Sequence, residues 1–190
     1  MSRQTKKSYV TPEEYLIFER AAEYKNEYFD GEIYAMTGAS RKHNLIAGNI
    51  VGSLWQQLRG KPCEVYPSDM RVRIPSANIY TYPDVVVVCG EPQFEDGHVD
   101  TLLNPVLIVE VLSKSTASYD RVAKLGYYRT LPSLVEYLLV AQNERHIAQH
   151  TKQADGRWIL ADIRGAEGRV ELPSVECVLD FSDVYNKVEM

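Results

Sequence analysis

The sequence lacks the features that would place it in or across a membrane. No stretch approaches 18 uninterrupted apolar residues, so a membrane-spanning helix is not expected. The start, MSRQTKKSYVTPEEY, carries positive charge but no apolar segment, so it does not read as a secretory signal. We therefore expect a cytoplasmic protein that makes no use of a membrane.

Cysteine is scarce. Cys63, Cys89 and Cys177 are far apart and form no CxxC pair, which excludes a zinc ribbon or a thioredoxin-like redox motif. An odd number of cysteines without a secretory signal predicts free thiols.

Positive charge is also in short supply, because 21 Lys and Arg face 26 Asp and Glu and leave a net charge of −5. This excludes a generally basic nucleic-acid-binding surface but leaves room for a local basic groove, since only charge near the phosphates acts at short Debye length. Along the sequence, no aromatic stripe with interleaved basic residues marks a platform for single-stranded nucleic acid.

Local signals predict the amino-terminal elements. TPEEYLIFERA reads as a helix with Thr11 as its cap, Pro12 in the first turn and Glu14 completing a capping box. NEYFDGEIYAM reads as a hairpin with a two-residue Asp-Gly turn. A second, longer helix covers SRKHNLIAGNIVGSLWQQLRG and stops at Gly60.

The middle of the chain predicts a mixed sheet. Alternation after Met70 favours a half-buried strand with Arg71 and Arg73 on its other face. YPDVVVVCG, PVLIVEVLS and VEYLLVA read as buried strands. A helix from Ser118 to about Leu131 separates the last two, which predicts a right-handed parallel crossover. Short strands and a last helical turn follow, so we expect an α/β fold with helices on both faces of a mixed sheet.

Two acids interrupt these apolar strands. Asp84 directly precedes VVVVC, and Glu110 lies within LIVEVL. A buried unpaired carboxylate costs several kcal/mol or becomes protonated. A hard divalent cation such as Mg²⁺ between the two acids would remove both penalties. The alternative is that Asp84 caps a strand end and Glu110 pairs with a basic side chain.

These residues carry a family resemblance. The ordered blocks GEIYAM, SDMRVRI, YPDVVVVC, VEVLSKSTASYDRVAKLGYY and VEYLLV resemble the Uma2 family of restriction-endonuclease-like proteins, within the PD-(D/E)XK nuclease superfamily. The resemblance implies a restriction-endonuclease-like α/β/α core and cleavage of DNA that depends on Mg²⁺, with Mn²⁺ as a substitute. It also implies metal ligation by Asp84, Glu110 and the backbone carbonyl of Val111, without an organic cofactor.

The resemblance runs from about residue 28 to about residue 140. We expect one domain over residues 1–190, with a nuclease core at about 28–141 and a β-rich extension at 142–190. The extension supplies strands beyond those the core needs, and sheet edges invite pairing. Together with the two-fold symmetry common among restriction-type nucleases, this predicts a homodimer.

One position departs from the superfamily pattern. The expected lysine lies two residues after the acid, where this chain has Leu112. Lys124, on the helix that follows, is the candidate substitute, and Lys114 is the second choice. Lys124 as an ordinary solvated helix residue is the alternative.

Other polar residues are weaker candidates. Glu32, after the hairpin turn, is a further candidate catalytic residue that could extend the acidic cluster or bind a second metal, and a surface hairpin residue is the alternative. His43 could contact phosphate or orient water, whereas Asp69 reads as structural. His146 and His150 lie four apart, but on a strand without a third ligand they do not favour zinc.

Two other classes of protein remain open. Leu112 fits a nuclease-fold module that binds nucleic acid without cutting it, and the acidic net charge fits a protein-assembly module whose acids are paired. In the nuclease interpretation, Arg71, Arg73 and Arg121 could contact the DNA backbone.

Overall fold

The computed structural model describes residues 9–113 and 123–190. None of the helices among these residues has the length and apolar character needed to cross a bilayer. The helices are α1 (Pro12–Ala21), α2 (Arg41–Leu58), α3 (Leu125–Tyr128) and α4 (Phe181–Val184), with a 3₁₀ turn at Pro75–Ala77.

The described strands form two larger sheets and a separate hairpin. The five-stranded sheet has the order β2-β1-β5-β4-β7, the six-stranded sheet has the order β11-β10-β9-β8-β6-β3, and β12 pairs with β13. The strands are β1 (Asn26–Phe29), β2 (Glu32–Ala35), β3 (Cys63–Pro67), β4 (Arg71–Ile74), β5 (Ile79–Thr81), β6 (Val85–Cys89), β7 (Thr101–Leu102), β8 (Leu107–Leu112), β9 (Glu136–Ala141), β10 (His146–Lys152), β11 (Trp158–Arg164), β12 (Arg169–Leu172) and β13 (Cys177–Asp180).

The amino-terminal signals are confirmed. Thr11 caps α1, and its backbone N–H bonds back to the Glu14 carboxylate, which completes the capping box. The β1–β2 hairpin turns at Asp30 and Gly31, whose φ angles are 41° and 96°. Gly31 adopts this left-handed conformation without the steric cost of a Cβ.

The mixed central sheet is also confirmed. Strands β8 and β9 are parallel, while the other neighbours in the six-stranded sheet are antiparallel. Helix α2 covers one face and buries Ile46, Ile50 and Leu54 there. The five-stranded sheet and α3 cover the other face, where Tyr128 is fully buried. The predicted start of the α3 helix at Ser118 lies outside the described residues.

The carboxyl-terminal strands continue this architecture. Strands β10 and β11 extend the six-stranded sheet beyond β9. The β12–β13 hairpin and α4 pack on the α2 side, where Phe181 and Val184 join the same apolar cluster as Ile50. The β-rich tail predicted from sequence is therefore present, and its first two strands leave β11 at the edge of the sheet.

The prediction for the two arginines of β4 was wrong. Arg71 is 3% exposed, donates hydrogen bonds to Thr101 and Tyr82, and pairs with Asp100 at 3.0 Å. Arg73 stacks 4.1 Å above the Tyr80 ring. Alternation indicated one covered face, but both faces of this strand are covered, so these arginines hold the fold together and do not face solvent.

The prediction of free thiols was wrong for two of the three cysteines. Cys63 and Cys89 lie directly opposite each other on β3 and β6, with Cα atoms 4.0 Å apart, and form a disulfide. Cys177 is free and buried. The pairing depends on the register of two strands separated by 26 positions, which cysteine spacing alone does not reveal.

Candidate active site

One large pocket, of about 1090 Å³, opens where the hairpin, α2 and the central sheet meet. The hairpin side contributes Glu27 and Tyr34, and the first turn of α2 contributes His43. The sheet contributes Asp84 and Glu110. Because each side comes from a distant part of the sequence, the pocket exists only in the folded chain.

The register of β6 and β8 brings the two central acids together. These strands are antiparallel, and Val85 faces Val109 in the ladder. One step further along, Asp84 stands opposite Glu110, and directly opposite residues project from the same face of a sheet. Both carboxylates therefore reach the same pocket, where their side chains are 14% and 6% exposed.

Two donors hold one oxygen of Asp84. The backbone N–H of Val111 donates to Oδ2 at 2.7 Å, and His43 Nε2 lies 3.0 Å from the same oxygen. No described residue donates to Oδ1. The protein thus satisfies one oxygen of the Asp84 carboxylate, just before β6. Oδ1 keeps its capacity to bind a further ligand.

Glu110 is held from the opposite side by α3 and the residue just before it. Lys124 Nζ lies 3.1 Å from Glu110 Oε1, and the hydroxyl of Tyr128 donates to the same oxygen at 2.8 Å. Burial and the neighbouring carboxylates Glu110 and Glu27 raise the pKa of Tyr128 well above its ordinary value. Tyr128 therefore stays protonated and remains a donor to Glu110.

Glu27, on β1, is a third acid that the sequence did not reveal. Its Oε1 lies 3.6 Å from Lys124 Nζ and accepts hydrogen bonds from the Thr81 hydroxyl and from the Tyr82 backbone N–H. The available signal was its strand position: Glu27 shares a face with Phe29, and Phe29 packs against the core. An acid on a covered strand face should stand out in the sequence as Asp84 does. Because this strand is only four residues long, its covered face was not recognised.

Gln142 fixes the first turn of α2 against the sheet. Its side-chain amide donates to the Leu112 carbonyl at 2.8 Å and accepts from the Ser40 hydroxyl at 2.7 Å. Ser40 is also the N-cap of α2. His43, one turn into this helix, is thereby held beside Asp84.

Several candidates from the sequence lie elsewhere. Glu32 accepts from the Tyr34 hydroxyl and is not among the residues that line the pocket. Asp69 pairs with Lys25 in the turn before β4. His146 bonds Asp162, while His150 lies near Arg129. The alternative candidates Lys114 and Arg121 are outside the described residues.

The charges of the pocket suit a divalent cation. Among the described residues at its floor, the carboxylates of Asp84, Glu110 and Glu27 outnumber the ammonium of Lys124. Within residues 9–113 and 123–190, no three His, Cys, Asp or Glu side chains form a ready metal cage. Mg²⁺ does not require one, because it usually binds through one or two carboxylates together with water and substrate phosphate.

Comparison with solved structures gives the fold an independent match. A protein from Anabaena variabilis ATCC 29413, described as a putative nuclease belonging to DUF820, superposes with a TM-score of 0.78 at 16% identity. The alignment covers 95% of this chain and 99% of the Anabaena chain. At this identity the likeness concerns the fold.

Sequence comparison identifies closer relatives. The uncharacterized protein sll1609 of Synechocystis sp. is 39% identical over 162 residues, which are 85% of this chain and 92% of the relative. The uncharacterized protein slr1290 of the same organism is 39% identical over 166 residues, 87% and 86% of the two chains. The Uma2 family model, described as "putative restriction endonuclease", matches residues 12–182, and the chain therefore belongs to the Uma2 family.

Proposed function

We propose that the protein is a Mg²⁺-dependent endonuclease of the PD-(D/E)XK type that hydrolyses DNA phosphodiester bonds. One observation carries the proposal: Asp84 and Glu110, on neighbouring buried strands, reach the same pocket from the same face of the sheet. Paired carboxylates on adjacent core strands are expensive to bury unless a cation joins them.

The residues present fit such a cation. Asp84 Oδ1 has no donor among the described residues, so it can serve as a ligand beside the Glu110 carboxylate. The N–H of Val111 points to Asp84, and the N–H and C=O of one strand residue project from the same edge of the strand. The Val111 carbonyl therefore faces this side as well. A Mg²⁺ or Mn²⁺ ion bound here would lower the pKa of a water ligand and offset negative charge on the phosphate.

Lys124 supplies the charge that Leu112 cannot. Leu112 projects from the same strand face as Glu110 and lines the pocket, but it has neither charge nor hydrogen-bond donor. The ammonium of Lys124, the residue before α3, reaches the pocket and is held between Glu110 and Glu27. From there it can orient the attacking water and stabilise negative charge on the phosphoryl oxygens. Val111 and His43 keep Asp84 in place, and Tyr128 does the same for Glu110.

The second candidate is a nuclease-fold module that binds nucleic acid without hydrolysis. The observation that favours it is the contact between Lys124 and Glu110, because that ion pair satisfies the buried acid without a metal. The absence of a lysine at residue 112 also favours a module that binds without hydrolysis. This candidate predicts DNA binding that persists without cleavage in any divalent cation.

The proposal includes a homodimer that forms through the edge of the larger sheet. Strand β11 pairs with β10 on one side and lies at the end of the strand order. Ile159 and Leu160 on this strand are 55% and 51% exposed. Antiparallel pairing of two copies about Ala161 would place Ile159 opposite the partner's Ile163, a self-complementary contact of the kind that two-fold symmetry requires.

Cleavage of defined DNA tests the hydrolytic proposal directly. Wild-type protein and Asp84→Asn are incubated with supercoiled plasmid and with labelled oligonucleotides in Mg²⁺, in Mn²⁺ and in EDTA. We expect metal-dependent cleavage by the wild type and none by Asp84→Asn. Binding without cleavage in either metal would favour the second candidate, and equal cleavage by both proteins would contradict the assigned site.

A further inference from the structure

Two exposed tyrosines stand on the rim of the pocket. Tyr24, in the bend between α1 and β1, is 76% exposed, and Tyr34, on β2, is 48% exposed. Both line the same pocket as Asp84 and Glu110. A single exposed aromatic side chain is ordinary, but two at the mouth of a polar pocket form a surface on which another flat group can stack.

Two basic residues share this rim. Arg41 is exposed and Lys42 is partly exposed, and both line the pocket from the first turn of α2. No described residue forms an ion pair with either side chain. Lys25 differs, because its ammonium is occupied by Ser68 and Asp69. The mouth of the pocket therefore offers two cations that could contact phosphate, Arg41 and Lys42, beside one exposed acid, Glu23.

The two central acids are almost covered, which favours a flexible substrate over a rigid duplex. The side chains of Asp84 and Glu110 are only 14% and 6% exposed, so a phosphate must enter the pocket to meet them. An unpaired strand can thread inward, whereas a duplex must first be opened or bent at a cost of a few kcal/mol. Once unpaired, the bases present faces that stack on aromatic rings.

We propose that the pocket takes an unpaired DNA strand, whose bases stack on Tyr24 and Tyr34 and whose phosphates contact Arg41 and Lys42. This names the substrate form for the proposed nuclease and rests on that function. The sequence showed no aromatic and basic stripe because the four residues come from a bend, a strand and a helix. Folding brings them to one rim.

Binding can be measured separately from cleavage. Fluorescence anisotropy with Ca²⁺ in place of Mg²⁺ compares a labelled single strand with a duplex of the same sequence. We expect the single strand to bind at least about tenfold more tightly. Tyr24→Ala combined with Tyr34→Ala should weaken single-strand binding by about tenfold or more, given the usual contribution of a stacked base. The combined Tyr→Phe changes keep both rings and should retain most of the affinity.

Trp55→Ala is the matched control. Trp55 is 59% exposed but lies near the far end of α2, stacked with Arg59 and outside this pocket. Its removal should leave single-strand affinity unchanged. Equal or tighter duplex binding, or full single-strand affinity after both tyrosines are removed, would overturn the inference.

The outcomes also separate this inference from the hydrolytic proposal. Tyrosine-dependent single-strand binding without cleavage in Mg²⁺ or Mn²⁺ would uphold the inference and remove the nuclease function. Cleavage of duplex DNA that is insensitive to both tyrosine substitutions would uphold the nuclease and overturn the inference.

Discussion

At the scale of single residues, the position of Lys124 decides how the site could work without a lysine at residue 112. Its Nζ lies 3.1 Å from Glu110 Oε1 and 3.6 Å from Glu27 Oε1. Two acids therefore share one ammonium at the edge of the pocket. A structural ion pair and a catalytic amine would both have this geometry, so only a change in activity distinguishes them.

Lys124→Ala should lower cleavage by roughly 100-fold or more, the usual effect of removing one positioned charge or acid–base group. Mg²⁺ binding should persist, because Asp84 and Glu110 remain. Single-turnover rates and calorimetric Mg²⁺ titration measure the two effects, and circular dichroism checks that the variant folds. Adding Leu112→Lys should restore part of the rate. Full activity in Lys124→Ala would redirect attention to Lys114.

Glu27 and Glu32 provide a matched pair on one hairpin. Glu27 lies in the pocket beside Lys124, whereas Glu32 accepts from Tyr34 outside it. We expect Glu27→Gln to reduce cleavage by about tenfold or more, since it removes a charge that positions Lys124. Glu32→Gln should leave the rate within about twofold. Equal losses, or a larger loss at Glu32, would contradict the geometry of the pocket.

What the sequence could predict depended on how conspicuous each residue was in its strand. Asp84 and Glu110 stood out because apolar residues surround them. Glu27 was missed because its strand is short and its partner Lys124 is distant in sequence. Arg71 was wrongly given a solvent-facing role, since alternation cannot tell whether a second layer covers the polar face.

At the scale of elements, contacts between segments were beyond sequence patterns even where the segments themselves were predicted. The capping box of α1 is local and was read correctly. The disulfide between Cys63 and Cys89 depends on strand register, and the sequence analysis did not predict it. The same holds for the way Gln142 joins α2 to the end of β8, which is what sets His43 beside Asp84.

The exposed edge strand β11 predicts the oligomeric state. Ile159→Lys would place a charge opposite Ile163 of the partner subunit and should convert a dimer to a monomer, measured by light scattering. Ile17→Lys is the control, because Ile17 is 73% exposed on α1, away from this edge. A wild-type monomer at micromolar concentration, or a dimer that survives Ile159→Lys, would contradict pairing through β11.

An ion-pair cluster ties α1 to the segment before β7. Arg20 bonds Asp96 and Asp100 at 2.8 Å each. The Arg20 guanidinium, with the nearby charge of Arg71, holds the pKa of Asp100 below its ordinary value of 3.8. A lowered folded-state pKa contributes stability that is fully present above 3.8 and is lost as the pH falls through the lowered value.

Arg20→Gln should therefore lower the melting temperature at neutral pH, and the difference from wild type should shrink as the pH falls below about 3.8. Arg157→Gln removes an exposed pair within one hairpin turn and should change stability little. Thermal melts across this pH range test both variants. A difference that is constant with pH would show that Arg20 acts through packing and not through its charge.

At the scale of the whole molecule, the net charge of −5 says little about the site. The acids that would hold a cation lie at the floor of one pocket with Lys124, and the exposed residues Arg41 and Glu23 and the partly exposed Lys42 line its mouth. The fold assembles these groups by closing a hairpin, a long helix and a mixed sheet around one opening. The proposal assigns the chemistry to this opening.

The most direct test of the central claim is the position of a bound ion. Crystals grown with Mn²⁺ are examined by anomalous diffraction, for wild type and for Asp84→Asn. We predict a Mn²⁺ peak between the Asp84 and Glu110 carboxylates in the wild type, and loss of that peak in Asp84→Asn. A fully occupied Lys124–Glu110 ion pair with no Mn²⁺ in this pocket would contradict the account.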